Sequence, residues 1–484
     1  MTQPFGPGVL AAILPEVLLL ILAGIVLAAD LLGRPSRRRM VGWVASIGVG
    51  ATLVATLIYA RPPAESPVIL GGMIRHDWSG FAFQVLFLFS AAVACLLSID
   101  LHGLGERGEY YSLIIVSTLG MCLMASASDL VMLYLAIETT SIPLYVLAGF
   151  FKRDDRSTES GLKYFLFGAL TSTVMLYGFS LLFGATGQTD LYQIAAAMSG
   201  KAIPSAVIAA SAILVLVGFG FKVAVVPFHF WTPDVYEGAP TPITALISTA
   251  SKAAGFAVLV RVMLAAFPEV VPFWTSLLAI LAAATMTLGN LLALVQKNMK
   301  RLLAYSSIAH AGYALIGVVA LSELGSASVV FYLLAYVVTN LATFAVVVLF
   351  AQSAGSETIA DYAGLSRRSP GLALVLLIGM LSLAGMPPLA GFVAKVYVFA
   401  AAVQSGWIWL AFVGVLNSII GLYYYLTVLK VAYLFRSPDE AKPIHVPAPH
   451  AIALGLCVVA ILVIGTLSAP WLDWSLRAAA SLFG

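Results

Sequence analysis

Charge is scarce in this 484-residue chain: Lys, Arg, Asp and Glu make up only 10% of it, against about 25% in soluble domains. A water-soluble fold of this length needs far more polar surface, so that class is excluded. Cysteine is scarce too. Cys95, Cys122 and Cys457 stand far apart inside apolar runs, with no CxxC, no metal-ligand spacing and no disulfide framework. No metal, iron–sulfur or haem chemistry is therefore expected within the chain. The opening MTQPFGPG has no Lys or Arg, so it is not a secretory n-region, and the first apolar run is expected to be retained. No P-loop, nucleophile elbow or metal triad appears. The GxGxxG match at Gly103–Gly108 has no strand before it and joins two apolar runs, so it is read as chance. A net charge of +3 gives no sign of nucleic-acid binding, and 26 Phe, 19 Tyr and 8 Trp exclude disorder.

What is abundant is apolar length. Apolar and aromatic residues make up 61% of the chain, and mean hydropathy is +1.01. Long apolar stretches recur throughout, without the short alternating segments of a β-barrel. The fold class expected is an all-α polytopic membrane protein with fourteen spans, at 9–32, 41–60, 80–100, 110–127, 129–151, 161–184, 205–227, 242–266, 272–295, 301–321, 325–352, 371–403, 408–433 and 449–470. Connecting segments are short, so the chain reads as a single membrane domain. Its parts are three N-terminal helices (1–105), a first repeat (106–266), a second repeat (267–435) and a C-terminal helix (436–484).

Basic residues orient this array. With the loop holding Arg34, Arg37, Arg38 and Arg39 placed inside, 15 of the 25 Lys and Arg fall inside. Arg61, Arg75, Lys201 and Arg477 fall outside, which puts both termini on the outer side. Arg261 and Lys430 lie near span ends and are expected to snorkel. Glu16 is expected at the interface, and Asp30, Asp100 and Asp129 as solvated caps at span ends.

Two spans should be interrupted. In FGFKVAVVPFHFWTPDVYEGAPTP, Pro227 removes the hydrogen bond to the Val223 carbonyl; in LSLAGMPPLAGFVAKVYVF, Pro387 and Pro388 free the carbonyls of Leu383 and Ala384. Freed groups at membrane depth must face protein or water. The breaks fall in spans seven and twelve, five apart, so the matching spans run in opposite senses. That is the pattern of an inverted repeat, spans 4–8 against 9–13.

Four lysines lie within apolar spans: Lys163, Lys222, Lys252 and Lys395. Glu138 is also mid-span, in DLVMLYLAIETTSIPLYVL. An unpaired carboxylate there costs at least a few kcal/mol, so it must be protonated, paired or hydrated. A Glu138–Lys222 pair could exchange a proton as its partner moves. Small residues around Lys252 leave room for water, and Lys395 is expected to face a hydrated pocket at the second break. Lys163, near a span start, could instead snorkel. His229 and His310 could relay protons, or be hydrogen-bonded core residues.

The segment VPFHFWTPDVYEGAPTPITALISTASKAAGFAVLVR resembles the antiporter-like subunits of proton-pumping NADH:quinone oxidoreductase (respiratory complex I), which are related to Mrp-type cation/proton antiporter subunits. ILPEVLLLILAGIVLAADLL and KRLLAYSSIAHAGYALIG are similar to the N-type branch. The resemblance covers essentially the whole chain. It implies fourteen helices with two inverted five-helix repeats, and it matches Glu138, Lys163, Lys222, Lys252 and Lys395 to the family's proton-pathway positions, with His229 and His310 as relay positions. Lys395 argues against the M-type subunit, where a Glu stands there, and an end at Gly484 argues against the L-type. The resemblance further implies proton translocation coupled to quinone reduction elsewhere, and no cofactor in this chain. NADH, FMN, iron–sulfur clusters and quinone would belong to partner subunits, with ferredoxin as donor in the plastid and cyanobacterial counterpart. Partners would be the M-type, K-type, J-type and A-type membrane subunits and lipids, in a bacterial plasma membrane. A self-standing antiporter would use the same residues; a purely structural subunit would hold its lysines as static ion pairs.

Overall fold

The structure is a computed structural model that describes residues 7–32, 38–63, 65, 67–200, 203–440 and 442–483. Arg34, Arg37 and Lys201, used above for orientation, lie outside the described residues. Among the described residues, 13 helices are long and apolar enough to cross a membrane, and two shorter apolar helices, Pro370–Ala384 and Ala390–Gln404, flank the second break. The architecture is all-α and polytopic.

Apolar residues are placed as lipid would require. The helices Thr241–Ala266 and Glu323–Ala354 are enclosed by neighbours along their whole apolar windows. Peripheral helices such as Leu14–Leu32 and Ile408–Leu434 turn large side chains outward, among them Leu20, Ile21, Phe412 and Ile419. In water such a surface would be an aggregation liability; against acyl chains it is the favoured one. Close packing relies on small residues where backbones cross. A Cβ on Gly161 would stand 2.8 Å from the Gly149 Cα, so the helix Asp155–Thr186 can approach that turn only with glycine there.

The expected spans recur with shifted ends. The sixth starts at Asp155 rather than 161, because the Asp154 carboxylate accepts from the Arg156 N–H and opens the helix earlier. The fifth stops at Ala148, before Gly149. The span expected at 371–403 is two helices. Beyond Ala448–Thr466 a further helix, Ser468–Phe483, follows, which the hydropathy reading missed because its apolar residues share the helix with Asp473 and Arg477. It packs on Glu323–Ala354 and Trp78–Ser98, with the Arg477 guanidinium 6.0 Å from the Trp78 ring centre. The 61–79 segment holds a small antiparallel hairpin, Val68–Ile69 against Ile74–Arg75.

Each break closes in the same way. The helix Ser205–Val223 ends on Ala224 in the left-handed region (φ 61°). The Ala224 N–H donates to the Phe221 carbonyl at 3.1 Å and the Val225 N–H to the Gly220 carbonyl at 2.9 Å. The helix Pro370–Ala384 ends on Gly385 (φ 87°), whose N–H donates to the Ser382 carbonyl at 3.0 Å, while Met386 N–H donates to Leu381 at 2.9 Å. These are two Schellman closures, completed before the prolines are reached.

Candidate functional site

Glu138 lies on Leu130–Ala148, partly exposed, and its carboxylate accepts a hydrogen bond from Ser172 on the neighbouring helix. Lys222 is buried one residue before the end of its helix, and its Nζ donates to the Ser141 hydroxyl at 2.6 Å. Glu138 and Lys222 are expected within direct or single-water reach; no ion pair joins the two among the described residues. Instead Glu138, Ser141, Ser172 and Lys222 line a cavity of about 10 Å³, roughly the space that one water occupies.

Lys252 is 2% exposed, and its Nζ donates to the Ser307 hydroxyl at 2.5 Å and the Ser307 carbonyl at 2.8 Å. The turn before it, Ile247–Ser251, is a π-helix. Such widened turns shift a side chain around the helix and recur at functional sites. Ser307 also meets the Tyr236 hydroxyl at 3.2 Å. The adjacent Ser306 is hydrogen-bonded to Tyr425. The Tyr425 hydroxyl lies 3.1 Å from His310 Nε2, and the Tyr332 hydroxyl lies 2.7 Å from Nδ1. Both His310 nitrogens are thus engaged by hydroxyls, which can donate or accept.

Lys395 is buried and donates to the carbonyls of Leu383 at 3.1 Å and Ala384 at 2.9 Å, with the Tyr313 ring centre 4.9 Å from its Nζ. These are the two carbonyls that the prolines were expected to free. The Lys395 ammonium is thus the protein group that holds both of them. A separate cavity of about 10 Å³ lies between His310 and this break, lined by Tyr332, Ser382 and Gly391 among others.

Other expected residues lie apart from this line. Lys163 is at the rim, paired with Glu159 at 2.6 Å and Asp234 at 2.5 Å, and Asp234 also holds Arg301 at 3.0 Å. His229 is buried at the first break, its ring stacked on Phe230. Glu16 is not interfacial: it is 7% exposed and accepts from Gln84 Nε2 at 2.9 Å. Asp129 caps its helix from a buried position, accepting from the N–H of Val131 and Met132, and Asp100 pairs with Arg39.

One buried pair was misread in the sequence. Arg261 does not snorkel: it is 2% exposed and clamps Asp77 with both terminal nitrogens, at 2.6 and 2.9 Å, while donating to Tyr192 and the Ala125 carbonyl. Its depth, five residues inside the end of Lys252–Ala266, was the available signal. Asp77, 184 residues away in sequence, was not identifiable as its partner.

Comparison with known proteins places this geometry. Residues 127–421 match the family described as NADH:quinone oxidoreductase/Mrp antiporter, TM. NADH-quinone oxidoreductase subunit N of Moorella thermoacetica is 43% identical over 94% of this chain and 95% of its own length. A chain of respiratory complex I from Thermus thermophilus, solved with bound aureothin, is 35% identical with a TM-score of 0.79, covering 95% of this chain and 98% of that one. A chain of the Mrp complex from Dietzia sp. shares the fold at 23% identity, with a TM-score of 0.83 over 97% of this chain and 98% of its own. Two independent lines, sequence over nearly full length and superposable structure, agree, and the chain belongs to the NADH-quinone oxidoreductase subunit N family of antiporter-like membrane proteins.

Proposed function

We propose that this chain carries protons across a bacterial plasma membrane as a membrane-arm subunit of an NADH:quinone oxidoreductase, driven by quinone reduction in other subunits. The observation that supports this most is Lys252: a buried ammonium in the middle of the bundle that is held by a serine hydroxyl and carbonyl, with no carboxylate paired to it among the described residues. A static ion pair would need a counter-charge at that place. A hydroxyl partner suits a group that gains and loses a proton, because Ser307 can accept from the ammonium and donate to the amine.

Glu138 and Lys222 form the first exchange pair, communicating through Ser141 and the small cavity between them. Lys252 and His310 follow, joined by the adjacent Ser306 and Ser307 with Tyr425. Lys395 is the last member, and His229 and Lys163 are peripheral relays. The similar closures of the two breaks support a division into two inverted repeats, 106–266 and 267–435, after the N-terminal 1–105 and before 436–484. Taking Pro370–Ala384 and Ala390–Gln404 as one interrupted span gives fourteen, with both termini outside. NADH, FMN, iron–sulfur clusters and quinone are assigned to partner subunits, and the immediate neighbours to the M-type, K-type, J-type and A-type membrane subunits.

The test is proton pumping by assembled complexes in sealed vesicles. Lys252→Ala should abolish it, and Ser307→Ala should slow it, with quinone-reductase assembly intact. Pumping at the wild-type rate in assembled Lys252→Ala would refute the pathway. Purification of the chain without any redox subunit would refute the assignment to an oxidoreductase.

A further inference from the structure

Outside the buried line lies a groove of about 970 Å³ at the loop-bearing ends of the helices Gly108–Ser126 and Leu130–Ala148. Its rim carries Arg107, Lys152 and Arg153. Arg107 contacts Glu109 at 3.3 Å and lies 5.8 Å from the Phe150 ring centre. Asp154, the other acid on the rim, is committed to capping the next helix through the Arg156 N–H. Lys152 and Arg153 are exposed and form no ion pair among the described residues. Below the rim the wall turns apolar, through Leu113 and Val146, and Val146 is 50% exposed on the outer surface of the bundle.

We propose that this groove binds an anionic phospholipid, with its phosphate on Arg107, Lys152 and Arg153 and an acyl chain along Leu113 and Val146. Three observations select that ligand. Three cations against the carboxylates of Glu109 and Asp154 leave a rim of net positive charge, with Lys152 and Arg153 in no ion pair among the described residues, which a zwitterionic headgroup would neutralise less well. The wall one turn deeper is apolar, which a free phosphate would leave unfilled. The volume suits a sizeable ligand rather than an ion. The site does not depend on the proton pathway, and no residue of it belongs to that pathway.

The experiment places a benzophenone side chain at Val146 of the full chain, in assembled complex, in nanodiscs of equimolar phosphatidylglycerol and phosphatidylcholine. Photo-adducts are identified by mass spectrometry. Phosphatidylglycerol adducts should exceed phosphatidylcholine adducts by about fivefold. The preference should vanish in the combined Arg107→Gln, Lys152→Gln, Arg153→Gln variant and persist in Lys152→Arg, Arg153→Lys. Equal adducts with the two lipids in the wild-type chain would overturn the site. So would a preference indifferent to the three cations, or adducts only to a neighbouring protein. Loss of the preference in millimolar inorganic phosphate would reassign the rim to a free anion and overturn the lipid. Because the three side chains are exposed, an unchanged melting temperature checks that the combined variant is folded.

Discussion

The two helix breaks share a closure and differ in what their lysines do. At the first, the Phe221 carbonyl is covered by the Trp231 indole N–H at 3.2 Å, and Lys222 is left to reach across to Ser141. At the second, no aromatic donor among the described residues takes the Leu383 and Ala384 carbonyls. Lys395 itself holds Leu383 and Ala384. The first lysine is therefore held by a side chain from another helix and shares a small cavity with Glu138. The second is bound to the backbone at the end of the preceding half-helix and lies against the Tyr313 ring. One local device, a helix ended by a left-handed residue near a proline, gives two sites of different character, according to which donor fills the exposed carbonyls.

Removing the first lysine should have the largest effect. Lys222→Ala is expected to lower proton pumping by about 100-fold, the scale of a lost acid–base group, while the complex still assembles. Pumping by assembled Lys222→Ala at the wild-type rate would show that the network around it is only structural.

The second lysine separates structure from transport. Lys395→Ala leaves two buried carbonyls without a donor, which should cost about 2–4 kcal/mol of stability and slow pumping about tenfold. Lys395→Arg restores a donor but cannot release a proton in the working pH range. Thermal melting should therefore recover in the Arg variant and pumping should not. Full pumping with Arg would make Lys395 a static cap and break the analogy with Lys222.

Trp231→Phe tests the other half of the comparison. It removes one neutral hydrogen bond, worth about 1 kcal/mol, and should leave pumping within about twofold. A larger loss would mean that the Phe221 carbonyl, left with the Ala224 N–H alone, draws Lys222 away from Ser141, as Lys395 is drawn at its own break.

The smallest effects should come from the left-handed residues. Ala224→Gly should stabilise by about 0.5–1 kcal/mol by relieving a strained position. Gly385→Ala should destabilise, since a Cβ there would meet the Lys395 Cδ at 2.9 Å. Equal melting shifts of the same sign would show that the two closures are not strained as their φ values indicate.

Much of this was legible in the one-dimensional pattern. The spans, the two breaks and the mid-span positions of Lys222, Lys252 and Lys395 follow from apolar length, proline chemistry and the cost of charge in hydrocarbon, all of which act on neighbouring residues. The first break's lysine could be paired with the right region, because Glu138 was the one mid-span carboxylate near it in the helix order.

What tertiary structure alone decided was the identity of each partner. Sequence gave no sign that Lys395 holds the Leu383 and Ala384 carbonyls, let Arg261 snorkel although Asp77 holds it, and left Glu16 at an interface although Gln84 buries it. It gave no sign of the π-turn before Lys252, since backbone widening leaves hydropathy unchanged. The physical reason is common to all of these. Hydropathy says that a polar group in the membrane needs a partner, but hydrogen bonds act over about 3 Å, and the groups that come within that distance lie on helices that only packing brings together.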